Sequence, residues 1–285
     1  MNKLIFVTIM WAFSFSLIGV CLKGVDSTFL ALLRVGVALI CFLPFMRFNN
    51  PKLAFTTAFI GAFQIGVMYL FYYASFSYLS VVEVALFTIF TPFYVTIFYD
   101  LFSFKFRKLY LLSVGLAVFG AFIIKFGNIN EGFLKGFLLI QGANICFGFG
   151  QSAYKFILEK KGLKDQMHNF GFFFLGAIIP CFIAFLIFGD SSKTTLNLTQ
   201  ILVILWLGIG ASAVGYFLWN KGACEVDSGI LAIMNNALIP TAILVNLIFF
   251  GAKADILKLI IGGGIIYLSL LIHKKIMKYY GLKNS

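Results

Sequence analysis

Apolar runs of about twenty residues follow one another along almost the whole chain, roughly ten of them, separated by short polar breaks. Coiled as an α-helix, a run of that length spans the roughly 30 Å hydrocarbon core of a bilayer. Lipid offers no water to an unpaired backbone amide or carbonyl, so such runs are confined to helices packed against one another. Only 11% of the 285 residues are charged and 61% are hydrophobic. A soluble domain carries about 25% charged residues, and this composition cannot coat a water-facing surface. The sequence predicts an all-α integral membrane protein in which no stretch is long or polar enough to form a separate soluble domain.

The spacing places ten spans at 3–22, 27–46, 53–77, 80–101, 108–126, 133–156, 169–188, 200–220, 228–250 and 255–273. The first run, preceded by one lysine, Lys3, is longer than the apolar core of a cleaved leader and is read as a retained first crossing. The fourth and ninth spans each carry a central proline, Pro92 and Pro240, which lie 148 residues apart, and the same offset takes Gly115 to Gly263. This pattern predicts two five-span halves, 1–127 and 128–285, joined at the polar stretch Gly127 to Gly132. An odd number of crossings turns the second half upside down, and inverted halves are the architecture of a carrier whose site lies at the midplane between them.

With the N-terminus inside, the inner segments hold fifteen Lys and Arg and the outer ones six, which predicts both termini in the cytoplasm. The net charge of +12 comes from these short loops, where cations set topology and meet anionic lipid. No continuous basic and aromatic face suggests nucleic acid. Cys21, Cys41, Cys146, Cys181 and Cys224 are isolated, without CxxC spacing, and read as packing residues. No phosphate-binding loop, catalytic triad, metal cluster or cofactor motif is present, and His168 and His273, at span ends, are expected at the interfaces.

Several motifs resemble one known group. They are Trp11-Ala12-Phe13-Ser14-Phe15 with Lys23 in span one, Arg34 in span two, the phrase around Pro92, and Gly115 and Gly120 in span five. Asn144 to Lys155, Tyr216 to Asn220, and the Asn235-Asn236 stretch ending at Pro240 answer them in the second half. The chain resembles the ten-span EamA family of the drug/metabolite transporter superfamily. The resemblance implies ten transmembrane helices as two inverted five-helix repeats in a bacterial cytoplasmic membrane, as a monomer or homodimer. It also implies a secondary transporter of small metabolites such as amino acids or amines, often outward. Two departures stand out: glutamates common in the family about twelve residues after each proline are replaced by Phe104 and Ala252. Phe170 occupies roughly the place where a basic counterpart of Arg34 would fall.

Charged groups within hydrocarbon are costly and mark functional candidates. Arg34, well inside span two, is a candidate for binding a substrate carboxylate or gating the outer vestibule, or else a structural arginine that satisfies carbonyls. Glu83 is the carboxylate nearest the interior of an outer-side span, but Ser80-Val81-Val82-Glu83 also reads as a capping box. Asp227-Ser228 can cap span nine similarly. The cavity candidates, on spans that surround the central cavity in the family, are Trp11, Tyr73, Asn144, Trp219, Asn220, Asn235 and Asn236, with Tyr69, Tyr72 and Gln141 as neighbours. Adjacent amides such as Asn235-Asn236 cannot both face lipid without cost, whereas Trp219 also fits an interfacial anchor. Pro92 and Pro240 remove backbone donors and are expected to kink their helices, either as hinges or only to shape the bundle.

The leading expectation is a facilitator or exchanger working by alternating access. No carboxylate lies in span one or in the core of span six, which disfavours a proton-coupled drug antiporter, the main alternative. An intramembrane enzyme would need clustered His, Asp or Glu at a membrane face, which the sequence does not show, and against a channel with its symmetric pore the inverted repeat argues for alternation.

Overall fold

The computed structural model describes residues 1–124, 131–161, 166–250 and 256–279. The expected boundary between halves at Gly127 and Asn128, and the position of Ala252, lie outside the described residues. Among the described residues the regular structure is helical throughout.

Helix starts follow local capping chemistry. Helix α1 spans Asn2–Cys21. In α2, Ser27–Phe42, the Asp26 side chain accepts the Phe29 amide at 2.8 Å, pairing a donor that the first turn leaves free. Helix α3, Pro51–Ser75, opens with Asn50 as cap and Pro51 in the first turn, where a missing N–H costs nothing. Helix α4 is broken: Val81–Phe87, a 3-10 turn at Thr88–Phe90, then Thr91–Ser103. It ends at Phe104, which adopts a left-handed conformation, φ 52°, unusual for a bulky residue. Helices α5, Lys108–Ile124, and α6, Glu131–Lys161, follow. Next come α7, Met167–Phe188, and α8, Leu198–Ala223, which begins with an Asn197–Gln200 capping box. Helix α9, Ser228–Phe249, is capped by Asp227, and α10 spans Ile256–Tyr279.

Nine of these helices are long and apolar enough to cross a membrane, counted over the described residues. The fifth expected span corresponds to α5, Lys108–Ile124, whose described apolar stretch is Lys108–Gly120, with residues 125–130 outside the described residues. Helix α6 runs beyond its expected end at 156, since its last turns bury Lys155 and pair it with Glu159.

Packing links distant parts of the chain. Helix α1 lies against α9 and α8, α6 against α4 and α3, α7 against α2 and α3, α2 against α8, and α5 against α10. Gly120 makes the last contact close, because a Cβ there would press on the Gly262 carbonyl and Ile265. The broad apolar surface, including Phe55 at 76% exposure and Phe188 at 74%, suits a lipid-facing exterior. The polar side chains buried between helices define the centre.

Candidate functional site

Three departures from regular helix converge on the centre. In α8 the ladder widens to π-helical over Leu207–Val214, a run of mostly small residues, and such bulges turn individual carbonyls and side chains away from the helical pattern. The Ala211 carbonyl accepts the Trp11 indole N–H at 2.8 Å, and the Ser212 hydroxyl sits 2.9 Å from that of Tyr69. A second π-helical stretch occupies Ala62–Val67 of α3. The third departure is the 3-10 turn before Pro92, where the ring cannot donate to the preceding turn. The Phe87 carbonyl there is taken up by the side-chain amides of Asn144 at 2.7 Å and Gln141 at 3.3 Å, while Thr91 donates to Asn144 Oδ1 at 3.1 Å.

These irregularities frame a central cavity. Its wall includes Trp11, Ser14, Arg34, Tyr69, Tyr72, Asn144, Phe147, Tyr216 and Asn235. The aromatic side is tightly built: Trp11 lies 5.0 Å from Tyr216, 5.8 Å from Phe147 and 4.8 Å from Trp219, measured between ring centroids. Such contacts are worth about 0.5–1.5 kcal/mol each beyond area burial and make a rigid apolar face.

Arg34 dominates the electrostatics of this wall. It is 4% exposed. Its Nε donates to Ser212 Oγ at 2.6 Å, Nη1 donates to the Tyr73 hydroxyl at 3.2 Å, and the guanidinium lies 4.5 Å from the Tyr69 ring centre. A guanidinium has five N–H donors, and these bonds engage two of them. Among the described residues no carboxylate pairs with Arg34; the ion pairs lie elsewhere, at Lys3–Glu225, Arg107–Asp227, Lys155–Glu159, Lys193–Asp190 and His273–Asp227. Hydroxyls and an aromatic face soften the burial of the cation without neutralising it.

The EamA-like transporter family matches residues 3–126. The chain is 43% identical, over 96% of its length and 97% of the relative's, to a "Probable biotin transporter" of Pseudomonas aeruginosa. It is 41% identical to a "Biotin transporter" of Escherichia coli K12 and 40% identical to one of Salmonella typhimurium, over 96% of this chain and 93% of each relative. The chain belongs to the EamA-like transporter family. As a member of the drug/metabolite transporter superfamily it is a transporter of a small metabolite and not an enzyme, and with its apolar helices and bacterial relatives it is a multi-pass inner-membrane protein. A solved crystal structure shares the fold at a TM-score of 0.74 over 95% of both chains, with 14% identity.

Within this EamA-like protein the candidate residues separate into layers. Trp11, Arg34, Asn144 and Asn235 line the cavity, as do the neighbours Tyr69 and Tyr72. Tyr73 stands behind Arg34 as its hydrogen-bond acceptor. Trp219 and Asn220 are buried, at 1% and 0% exposure, beneath the aromatic wall, so Trp219 is not an interfacial anchor. Asn236 is fully buried outside the cavity wall, and neither of its amide atoms has a hydrogen-bond partner among the described residues. Glu83 is bound back to the amide and hydroxyl of Ser80, at 2.8 and 2.7 Å, as a capping box. Pro92 follows the break in α4, whereas Pro240 lies inside the unbroken helix α9.

Sequence reasoning missed Ser212, Gln151 and Gln64, whose only signal is a polar residue within an apolar run. It also placed His273 at an interface. That reading is corrected by its complete burial, with Nε2 at 2.9 Å from Asp227 Oδ1 and Nδ1 at 2.8 Å from Ser113 Oγ. Burial alone would raise the Asp227 carboxyl, but bonds to His273, the Gly229 amide and Tyr110 outweigh it and hold the group below its ordinary value. The expected span end had hidden this contact because α10 continues to Tyr279. No group of three or more His, Cys, Asp or Glu among the described residues is placed to hold a metal.

Proposed function

We propose that this protein is a facilitative carrier or exchanger of biotin, working by alternating access between two inverted five-helix halves. The observation that carries the proposal is Arg34, a buried cation in the cavity wall whose hydrogen-bond partners among the described residues are hydroxyls. A carboxylate on an aliphatic arm supplies the missing charge, and a two-pronged arginine–carboxylate contact is among the strongest available hydrogen-bonded pairs. The wall of Trp11, Phe147 and Tyr216 offers a face for a compact bicyclic ring, and Asn235 places amide polarity close to it. Names borne by relatives at 40–43% identity point to the same compound. This reading replaces amino acids and amines as the favoured cargo: an amine gains nothing from an unneutralised arginine, and the relatives' names favour biotin over an amino acid, whose carboxylate Arg34 could also meet.

Helix pairings support the inverted arrangement. Exchanging α1 with α6, α2 with α7, α3 with α8, α4 with α9 and α5 with α10 turns the α1–α9 pair into α6–α4 and the α3–α7 pair into α8–α2. The π-helical stretches fall on α3 and α8, which the same exchange relates. On the charge count, the end of the bundle that carries both termini faces the cytoplasm. A carrier with no acid in its cavity wall runs in whichever direction the gradient sets.

Thermal stabilisation of the purified protein tests the cargo. Free biotin is expected to raise the melting temperature, in line with ligand linkage, and biotin methyl ester is not. Equal stabilisation by acid and ester would refute the arginine–carboxylate contact.

A further inference from the structure

We infer that Gln64, Gln151, Asn220 and Asn235 form the wall of the substrate passage toward the end of the bundle that carries the chain termini, a passage closed in this structure by the tilted Trp11–Trp219 ring pair. The inference rests on the carrier reading above and extends it to the route by which cargo leaves the cavity. Asn235 belongs to both places, since it lines the cavity and bonds to the layer beneath it. Gln151 lies one turn beyond the cavity residue Phe147 on α6, about 6 Å of helix rise, and Asn220 lies one turn beyond Tyr216 on α8. Both steps lead away from the cavity toward the same end.

The layer is polar, completely buried and loosely joined. Gln64, Gln151 and Asn220 are each 0% exposed. Trp219 donates to Gln151 Oε1 at 2.9 Å, Gln151 and Asn235 exchange amide contacts at 3.4 Å, and Gln64 donates to Asn220 Oδ1 at 3.2 Å. The Gln64 Oε1 accepts no hydrogen bond among the described residues, although it is buried. An unsatisfied buried acceptor is destabilising, and an apolar pair of the same shape would avoid that cost. Four amides on four helices are therefore a poor way to glue a lipid-embedded bundle. They are a suitable lining for a path that must hold water and cargo when this side opens. Neutral amide pairs separate without exposing a charge, and their paired donors and acceptors match the N–H and C=O groups of a cyclic urea. The four amides themselves carry no charge, and the next cation along α6, Lys155, is already held by Glu159 and the Ala223 and Val226 carbonyls.

Two measurements test the passage. Gln64→Leu combined with Asn220→Leu removes both partners of one contact, a change that can be nearly neutral for folding. The double variant should bind biotin as the wild type does but exchange it across proteoliposome membranes at least about tenfold more slowly, a barrier increase of about 1.4 kcal/mol. Exchange at the wild-type rate would overturn the inference. Independently, Asn220→Cys in a background with the five native cysteines replaced by serine should react with a membrane-impermeant maleimide from the side of the termini. Failure to react from that side would also overturn it. Labelling does not depend on the cargo, so a protein that labels as expected yet ignores biotin would sink the proposed substrate and leave the passage standing.

Discussion

The Arg34 Nε lies 2.6 Å from the hydroxyl of Ser212, joining α2 to α8 where α8 has left the regular helical ladder. A regular turn would present that serine in a different direction, so the π-helical stretch and the arginine's aim belong together. The same hydroxyl meets Tyr69, whose ring lies under the guanidinium. Arg34 is thereby held from two sides, and its remaining donors are left for the cavity.

Replacing Arg34 with Gln should weaken biotin binding by one to two orders of magnitude, about 1.5–3 kcal/mol for a hydrogen bond to a charged group. Arg34→Lys should recover only part of this, because a point charge lacks the planar fork. Equilibrium dialysis with labelled biotin reads both effects.

Ser212→Ala leaves the guanidinium chemically intact and removes its acceptor. Affinity for biotin should fall by roughly tenfold, about 1–1.5 kcal/mol. The inserted protein should keep its helical circular dichroism. An unchanged dissociation constant would show that Ser212 does not aim the arginine.

Asn144 donates to the Phe87 carbonyl and accepts from Thr91, bracing the break in α4 from α6. Asn144→Ala should lower stability by about 1–3 kcal/mol, the cost of partly unsatisfied buried polar groups. Because Gln141 also reaches the Phe87 carbonyl, Gln141→Ala together with Asn144→Ala should cost more than the two single losses added. Thermal denaturation of the three variants in detergent checks this.

Gly229 lies directly against the His273 ring, where an added Cβ would overlap the imidazole. Gly229→Ala should displace His273 from Asp227 and lower the melting temperature. In the His273→Ala background the same substitution should be much less harmful, since the clash is gone. Equal cost in both backgrounds, measured as a double-mutant cycle, would contradict the packing.

Much of the fold was legible because bilayer physics acts on composition. Spans of the right length, the Asp227 cap of α9 and the Ser80–Glu83 capping box all follow from the order of apolar and polar residues. Trp11, Arg34, Asn144 and Asn235 could be nominated because polar or amphipathic groups are conspicuous in hydrocarbon. Ser212 could not, since the small residues of Leu207–Val214 carry no periodic sign that their ladder widens. His273 was misread because a titratable residue near the end of an apolar run resembles an interfacial one until Asp227 and Ser113 are brought to it.

The most direct measurement is trans-stimulated exchange in proteoliposomes. Vesicles containing the wild-type protein and preloaded with unlabelled biotin should take up labelled biotin saturably and faster than empty-loaded vesicles, and Arg34→Gln should abolish the stimulation. Uptake that is unsaturable, unaffected by preloading, or equal in the Arg34→Gln variant would contradict a biotin carrier built around that arginine.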